Sequence, residues 1–502
     1  MAEEETKEKP SKSPVILSIQ FLKTLALVIS HKDELYIYDK THFTPLKDKP
    51  LHRLIFKFFE DKKILPLWRK NKANEMVEAL KVNSQIKDVE ELDPNKNLIN
   101  LKNTVFNLDK LETQAHNQNN LFSYELDITH DPHLTSDDHP VFTQFLNDLF
   151  RNPDNTIDTD TKDLILFIMA YLIYPQIKMD KIFVFLGGGS NGKSILLEII
   201  KIFFPKQYVT SLSLNVISNE ESFSRNSLFW SRLNISTEQK ADKNKVSSEE
   251  VKKVASGEQI SMRKLYNEPV DINPITKLIL ACNDFPYFQD NTDGILRRLC
   301  LVECKNQFLN KAKYAQFKDP QSHNVYPAKD KDELIKAIKK EKSAIFNTLI
   351  TYLHELKERN WELPETANTE EIMEEYQEGA DTLGAWLKEY YEVEDRPNRK
   401  QEASVDILYD FKEYYEENFP GKRFNYSIQV MGRKIKQIFK VNSARGERET
   451  TLHNSTIIKT QRVRYYAIKR KTPKPPDTLV VPPKPTTPPP PIEDQQDSLE
   501  FT

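Results

Sequence analysis

The sequence predicts an α/β protein with a parallel-sheet core, helical segments on either side of it, and a small basic module behind it. Three observations carry this. The apolar run KIFVFL (181–186) enters a glycine cluster and is followed by SILLEIIKIFF (194–204), whose apolar residues recur at helical spacing. Two later apolar runs, RLNIS (232–236) and TKLILAC (276–282), read as strands buried on both faces. Charge is also segregated: residues 421–471 hold 14 Lys and Arg against two acids, a +12 segment in a chain of net charge −3.

In chain order, residues 1–13 are a charged start of disordered composition, and 14–95 form a small α/β region. Within it DELYIYD (33–39) alternates like a strand, and 50–80 reads as helical. Residues 96–178 begin with the strand-like LINLKNTVFNL and continue as two helices, 140–151 and 161–174, the second stopped by Pro175. The core spans 179–330, and amphipathic helices at 330–360 and 369–391 occupy a helical segment, 331–400. The basic module is 401–470. Residues 471–502 are a tail with ten of the 29 prolines by Pro491, an extended segment of polyproline-II character.

Composition excludes several classes. The apolar run Leu164–Tyr174 is too short to span a bilayer, so no membrane partner is expected, and the charged N-terminus lacks an apolar signal core. Cys282, Cys300 and Cys304 have no partners at zinc-ligand spacing and read as reduced thiols of a cytosol-like compartment. His130, His133 and His139 read as surface histidines.

Only 11 glycines serve 502 residues, and four of them fall at 187–192. Gly187-Gly188-Gly189-Ser190-Asn191-Gly192-Lys193-Ser194 satisfies G-x-x-x-x-G-K-[ST], the P-loop pattern. Glycines let successive backbone N–H groups curl around phosphate oxygens, and the following helix points its positive end at the same place. Lys193 would reach the β- and γ-phosphates of ATP, and the Ser194 hydroxyl would ligate Mg²⁺. A nucleotide-hydrolysing site also needs an acid at the end of a neighbouring strand. Glu238, after RLNIST, is the candidate for Mg²⁺ and water, with Asp242 in reserve. Asn283 ends a third strand and would orient the lytic water, although Asn before Asp-Phe-Pro is also an ordinary turn former. Arg297 and Arg298 follow Gly294, either as a salt-bridged pair or as a source of transition-state charge across a subunit boundary.

The ordered series FVFLGGGSNGKS, RLNISTEQ, VKKVASGEQISMRKLYNEPVDINPITKLILACNDFP and DNTDGILRRLCLVE resembles the superfamily 3 helicases of phages, plasmids and large DNA viruses. The likeness is closest to the poxvirus and phage-plasmid primase-helicase type and covers roughly residues 96–470. It implies an AAA+-like ATPase core and a homo-hexameric ring that uses ATP and Mg²⁺ to move on single-stranded DNA, with 3′→5′ polarity. By matching position Lys193 and Ser194 are the Walker A pair, Glu238 the Walker B acid and Asn283 the sensor. Arg298 is the first choice for an arginine finger, with Arg297 as the alternative. The segment with Lys252, Lys253, Arg263 and Lys264 looks like the family's DNA-contacting hairpin region, where basic side chains would grip phosphates. The sequence departs from the pattern with Asn234 and Thr237 inside the Walker B stretch and one acid where many relatives have two. No D-x-D pair lies on an apolar strand within 1–95, so no primer synthesis is expected of this chain, and a separate primase or polymerase would be a partner.

Helices at 403–419 and 427–440, then a strand-like RVRYYAIKR, give the basic module a winged-helix pattern, which the resemblance supports. Its second helix would present Arg433, Lys434 and Lys436 to DNA phosphates, while Tyr465 or Tyr466 would stack on DNA or pack the wing. The terminal Gln496-x-x-Leu499-x-Phe501 is similar to peptides that dock on a sliding clamp. The expected function is an ATP-dependent replicative DNA helicase acting on single-stranded and forked DNA in the host cytoplasm or a replication site. The alternative is a DNA-binding initiator or loader that uses ATP only for assembly. A packaging motor is disfavoured, because the basic C-terminal region lacks the carboxylates of an appended nuclease.

Overall fold

The computed structural model describes residues 13–237, 247–262, 270–283, 288, 293–318, 320, 323–380, 382–393, 404–418, 426, 428–441, 443–451, 458–466 and 468–471. It divides into two compact units, Met1–Ala380 and Asp381–Thr502.

The first unit opens with α1 (Pro14–Leu22), then β1 (Val28–His31), β2 (Glu34–Tyr38), β3 (Phe43–Pro45), α2 (Asp48–Asp61), α3 (Lys70–Lys81) and β4 (Lys87–Asp88). These strands form one sheet in the order β3-β2-β1-β4. The stretch expected to be helical, 50–80, is two helices, because Pro66 falls between two apolar faces that both turn onto the core of Leu51, Ile55, Met76 and Leu80. LINLKNTVFNL is likewise two strands, β5 (Leu98–Asn100) and β6 (Val105–Asn107), folded back antiparallel and joined by β7 (Glu112–Gln114). Helices α4 (Pro140–Leu149) and α5 (Thr159–Ile173) follow, and the chain leaves α5 in extended conformation at Tyr174, just before Pro175.

The central sheet contains β8 (Ile182–Leu186), which leads through the glycine loop into α6 (Lys193–Lys201). Next come β9 (Val209–Thr210), α7 (Leu214–Ser218), β10 (Leu233–Thr237), α8 (Ser248–Ser256), β11 (Ile260–Met262), β12 (Val270–Ile272), β13 (Lys277–Cys282), α9 (Asp293–Leu296) and β14 (Leu299–Glu303). Five strands are parallel in the order β14-β8-β13-β10-β9, while β11 and β12 form a separate antiparallel hairpin. Strand β14 was not foreseen, because LCLVE is too short to separate from the preceding arginines by periodicity.

Alternation along the strands builds two cores. Phe183, Phe185, Ile279 and Val302 pack with α5 and α6, whereas Ile182, Val184, Leu278 and Leu301 pack with α7 and α8. Both faces are covered, which is why these strands read as unbroken apolar runs. The unit closes with β15 (Gln307–Leu309), α10 (Lys311–Tyr314), β16 (Val325–Pro327), α11 (Lys331–Lys340), α12 (Lys342–Glu358) and α13 (Ala367–Ala380). His139 is not a surface residue. It is 5% exposed and bridges the Thr143 hydroxyl (2.9 Å) to the Thr348 hydroxyl of α12 (2.7 Å).

The second unit has α14 (Thr382–Tyr390), β17 (Tyr391–Val393), α15 (Ser404–Asn418), α16 (Ile428–Phe439), β18 (Ser443–Thr451), β19 (Ile458–Tyr466) and β20 (Ile468–Arg470). Its core gathers Trp386, Tyr391, Phe411, Met431, Ile435 and Tyr466. Strands β18 and β19 pair as a nine-residue antiparallel hairpin, and β20 returns to pair with β17.

Candidate functional site

The glycine loop leaves the C-terminal end of β8 and closes into the first turn of α6. Its curl requires glycine: Gly187 has φ 152°, and a Cβ there would lie 1.6 Å from Asn191 Nδ2 and 2.8 Å from the Cys304 carbonyl oxygen. The loop is also pinned from outside. Asn191 Nδ2 donates to Cys304 O (3.1 Å), and the Phe308 backbone N–H donates to Ser190 O (2.6 Å). Both anchors come from the segment just after β14, more than a hundred residues further along the chain, and no local signal marks them. Gly188 and Ser190 are exposed at the rim, Gly189 is half-buried, and Gly192 opens α6 with φ 79°.

Lys193 is the first residue of α6 and is buried. Its Nζ donates to Gly187 O (2.5 Å), Asn191 Oδ1 (2.9 Å) and Asn283 Oδ1 (3.4 Å). None of these three oxygens belongs to a carboxylate, and burial pushes the ammonium pKa below the ordinary lysine value. Asn283 sits immediately after β13, and β13 lies beside β8 with Cys282 opposite Leu186. The order β8-β13-β10 is what brings Asn283 to a lysine 90 residues away. Ser194 is exposed at the start of α6, where a helix N-terminus favours anions.

Glu238 and Asp242 lie outside the described residues, as do Arg263 and Lys264. Strand β10, which ends at Thr237, runs beside β13 with Thr237 opposite Ala281. The departure at Asn234 has a structural reason. It is fully buried, accepting from Thr210 Oγ1 (2.9 Å) and Leu212 N (2.7 Å) and donating to Leu212 O (3.0 Å), so it clamps the segment after β9 to β10.

The two arginines occupy different settings. Arg297 is exposed. Arg298 is 6% exposed and donates to Gly294 O (2.7 Å), Ser256 Oγ (2.9 Å) and Asp180 Oδ2 (3.4 Å). Both precede β14, and the Arg298 carbonyl accepts from Ile182 N (2.7 Å) at the start of β8. The glycine loop begins at the other end of β8, about 16 Å away at ~3.3 Å per strand residue.

Lys252 and Lys253 are on α8 rather than on a hairpin; the hairpin is β11–β12. Lys253 is ion-paired with Glu250 (2.6 Å), which also pairs with the buried Arg225. Lys252 is half-buried. On α16, Met431 and Ile435 face the core, Arg433 and Lys436 are exposed, and Lys434 is half-buried. Tyr466 packs rather than projects: it is 2% exposed and lies over Gly432. Gln496, Leu499 and Phe501 lie outside the described residues, as does the whole 472–502 tail. Among the described residues, no group of three or more His, Cys, Asp or Glu could hold a metal, and no helix is long and apolar enough to cross a membrane.

Two family descriptions match. Residues 32–151 match "D5 N terminal like", and residues 185–298 match "Family of unknown function (DUF5906)". The chain is 25% identical over 375 residues to "Putative helicase 121R" of Invertebrate iridescent virus 3, covering 69% of this chain and 38% of that protein. It is 23% identical over 282 residues to "Putative helicase L207/L206" of Acanthamoeba polyphaga mimivirus, covering 53% and 28%. It is 21% identical over 425 residues to "Putative primase C962R" of African swine fever virus (isolate Pig/Kenya/KEN-50/1950), covering 78% and 42%. The chain thus spans well under half the length of each of these relatives. Among solved structures, the apo C-terminal region of NrS-1 aligns over 91% of this chain and 100% of that chain, at 12% identity and a TM-score of 0.47. The matches thus place a D5-like segment in this chain and show a likeness to viral proteins named for helicase or primase activity.

Proposed function

We propose that this chain is an ATP-dependent DNA helicase of viral or mobile-element replication, working as a ring on single-stranded and forked DNA. The observation that carries the reading is Lys193. Among the described residues, its buried ammonium is held by neutral oxygens, from the glycine loop and from Asn283 just after the adjoining strand. An ammonium so placed, at a helix N-terminus and beside a curled glycine backbone, is arranged to take a polyphosphate. The D5-like match and the viral relatives named for helicase or primase activity support DNA replication as the setting.

In this reading the backbone of Gly187–Gly192 cradles the phosphates and Lys193 turns from Gly187 O to the β- and γ-oxygens. Ser194 and Glu238 would hold Mg²⁺, which would supply charge neutralisation at the transferred phosphoryl group. Asn283, already bonded to Lys193, orients the attacking water. The arginine pair lies at the opposite end of β8 from the loop of its own subunit, which favours supply of an arginine to a neighbour's nucleotide. The exposed Arg297 is the better placed of the two for that role. Lys252, Arg263 and Lys264, in and beside the β11–β12 region, and Arg433 and Lys436 of a winged-helix-like second unit, contact DNA phosphates. A hexamer, a separate primase or polymerase, and clamp binding through the tail complete the proposal.

The test is ATP hydrolysis with and without single-stranded DNA, together with unwinding of forks bearing 3′ or 5′ tails. DNA-stimulated hydrolysis and strand displacement are expected, and Lys193→Ala should reduce both by about 10²-fold or more, the scale of losing one charge-stabilising donor. Nucleotide binding without unwinding would instead leave the initiator or loader reading.

A further inference from the structure

The Arg298 guanidinium gathers three separate segments. It bonds to Gly294 O within α9, to Asp180 just before β8, and twice to the Ser256 hydroxyl, from Nη2 (2.9 Å) and Nε (3.3 Å). Ser256 is the last residue of α8, and Gly257 then ends the helix with φ 68°. The Gly257 carbonyl accepts from Asn273 Nδ2 (3.2 Å), which closes the root of the β11–β12 hairpin from its other side. A Cβ at Gly257 would approach Pro274 O to 3.2 Å, so this root is also tightly packed. A short bonded path therefore runs from the corner bearing the exposed Arg297, through the Arg298 side chain and Ser256, to both strands of the hairpin.

This arrangement is a poor one for an arginine finger. A finger must extend its guanidinium out of its own fold, whereas Arg298 is buried and its donors are committed inside it. Withdrawing it would break its bonds to the Ser256 hydroxyl, the Gly294 carbonyl and Asp180. It is, however, well suited to a link. A planar guanidinium with five fixed donors holds several partners in one relative geometry, which an ammonium cannot do.

We propose that Arg298 is a positioning residue that couples the Arg297 corner to the β11–β12 hairpin through Ser256, so that a change at the subunit boundary resets the hairpin. The inference rests on the helicase reading above and goes beyond it. It assigns Arg298 an intrasubunit role and gives Ser256, the last residue of α8, a part in coupling.

The experiment compares full-length wild type, Ser256→Ala, Ser256→Thr and Arg298→Lys. Basal hydrolysis, hydrolysis stimulated by an oligo-dT single strand, and melting temperature are measured for each. Ser256→Ala is expected to keep basal hydrolysis and melting temperature while losing on the order of tenfold in the DNA-stimulated increment, within the usual range of coupling between sites. Ser256→Thr, which restores the hydroxyl, should recover the increment, and Arg298→Lys should lose it. Full stimulation in Ser256→Ala would overturn the relay and leave the helicase reading standing. Parallel loss of basal rate, stimulation and melting temperature in Ser256→Ala would reduce the contact to a structural one. A wild type whose hydrolysis ignores DNA would overturn both readings at once.

Discussion

At the scale of single residues, the same side chains that a motif names acquire meaning from what holds them. Lys193 belongs to a pattern, but its burial and its bond to Asn283 are tertiary facts. His139 shows the converse. Its sequence neighbours are polar and charged, so it reads as a surface residue, yet it joins the start of α4 to Thr348 of α12. Burial lowers its pKa from the ordinary 6.5, opposed by a backbone hydrogen bond and then by the carboxylates of Glu341, Asp138 and Asp137. A histidine whose folded pKa is depressed stabilises the fold above its unfolded pKa, and that contribution is lost as pH falls through and below 6.5. Urea unfolding at pH 7.5 and pH 5 should therefore show wild type losing more stability on acidification than His139→Gln. Equal losses in the two proteins would remove His139 as a titrating contributor.

At the scale of elements, α16 illustrates how packing decides the sign of a substitution. Gly432 lies inside the helix, where Ala would ordinarily gain roughly 1 kcal/mol of helix propensity. A Cβ there would meet Tyr466 Oη at 2.3 Å, and that ring is 2% exposed and confined by the core of the second unit. Overpacking of this kind costs about 1–3 kcal/mol, so the clash outweighs the propensity. Gly432→Ala should thus destabilise the second unit, read as a lower melting temperature in thermal unfolding, while Gly432→Ala combined with Tyr466→Phe should recover much of the loss. The glycine is the means by which the hairpin β18–β19 seats its last residue on α16.

At the scale of the whole molecule, the distance between the glycine loop and the arginine pair bears on the proposed ring. The two lie at opposite ends of β8, about 16 Å apart along the strand, so in the proposed reading the arginine comes from a neighbouring subunit. Mixing two defective proteins tests this. Lys193→Ala and Arg297→Ala should each lack DNA-stimulated hydrolysis when alone. In mixed assemblies some interfaces combine an intact Lys193 with an intact Arg297 from the neighbour, and a fraction of activity should return. If mixtures stay as inactive as the separate proteins, arginine supply across the boundary through Arg297 is refuted.

The sequence by itself determined the strand–loop–helix unit, the positions of β8, β10 and β13, and the segregation of basic charge, because each is written in local spacing and composition. Strands buried on both faces leave continuous apolar runs, and a tightly curled loop leaves clustered glycines in a chain that has few. Local pattern ran out where residues far apart act together. It read 50–80 as helical without separating α2 from α3, it missed β14, and the resemblance put Lys252 and Lys253 in a hairpin region although they lie on α8. It put Arg298 ahead of Arg297 as the arginine finger on the resemblance alone, since adjacent arginines look alike in one dimension. Only the tertiary structure separated them, by burying Arg298 among Gly294, Ser256 and Asp180 and leaving Arg297 exposed. The physical reason is the same throughout: spacing encodes which face a residue lies on, while strand order decides which distant oxygen, backbone or helix end that face will meet.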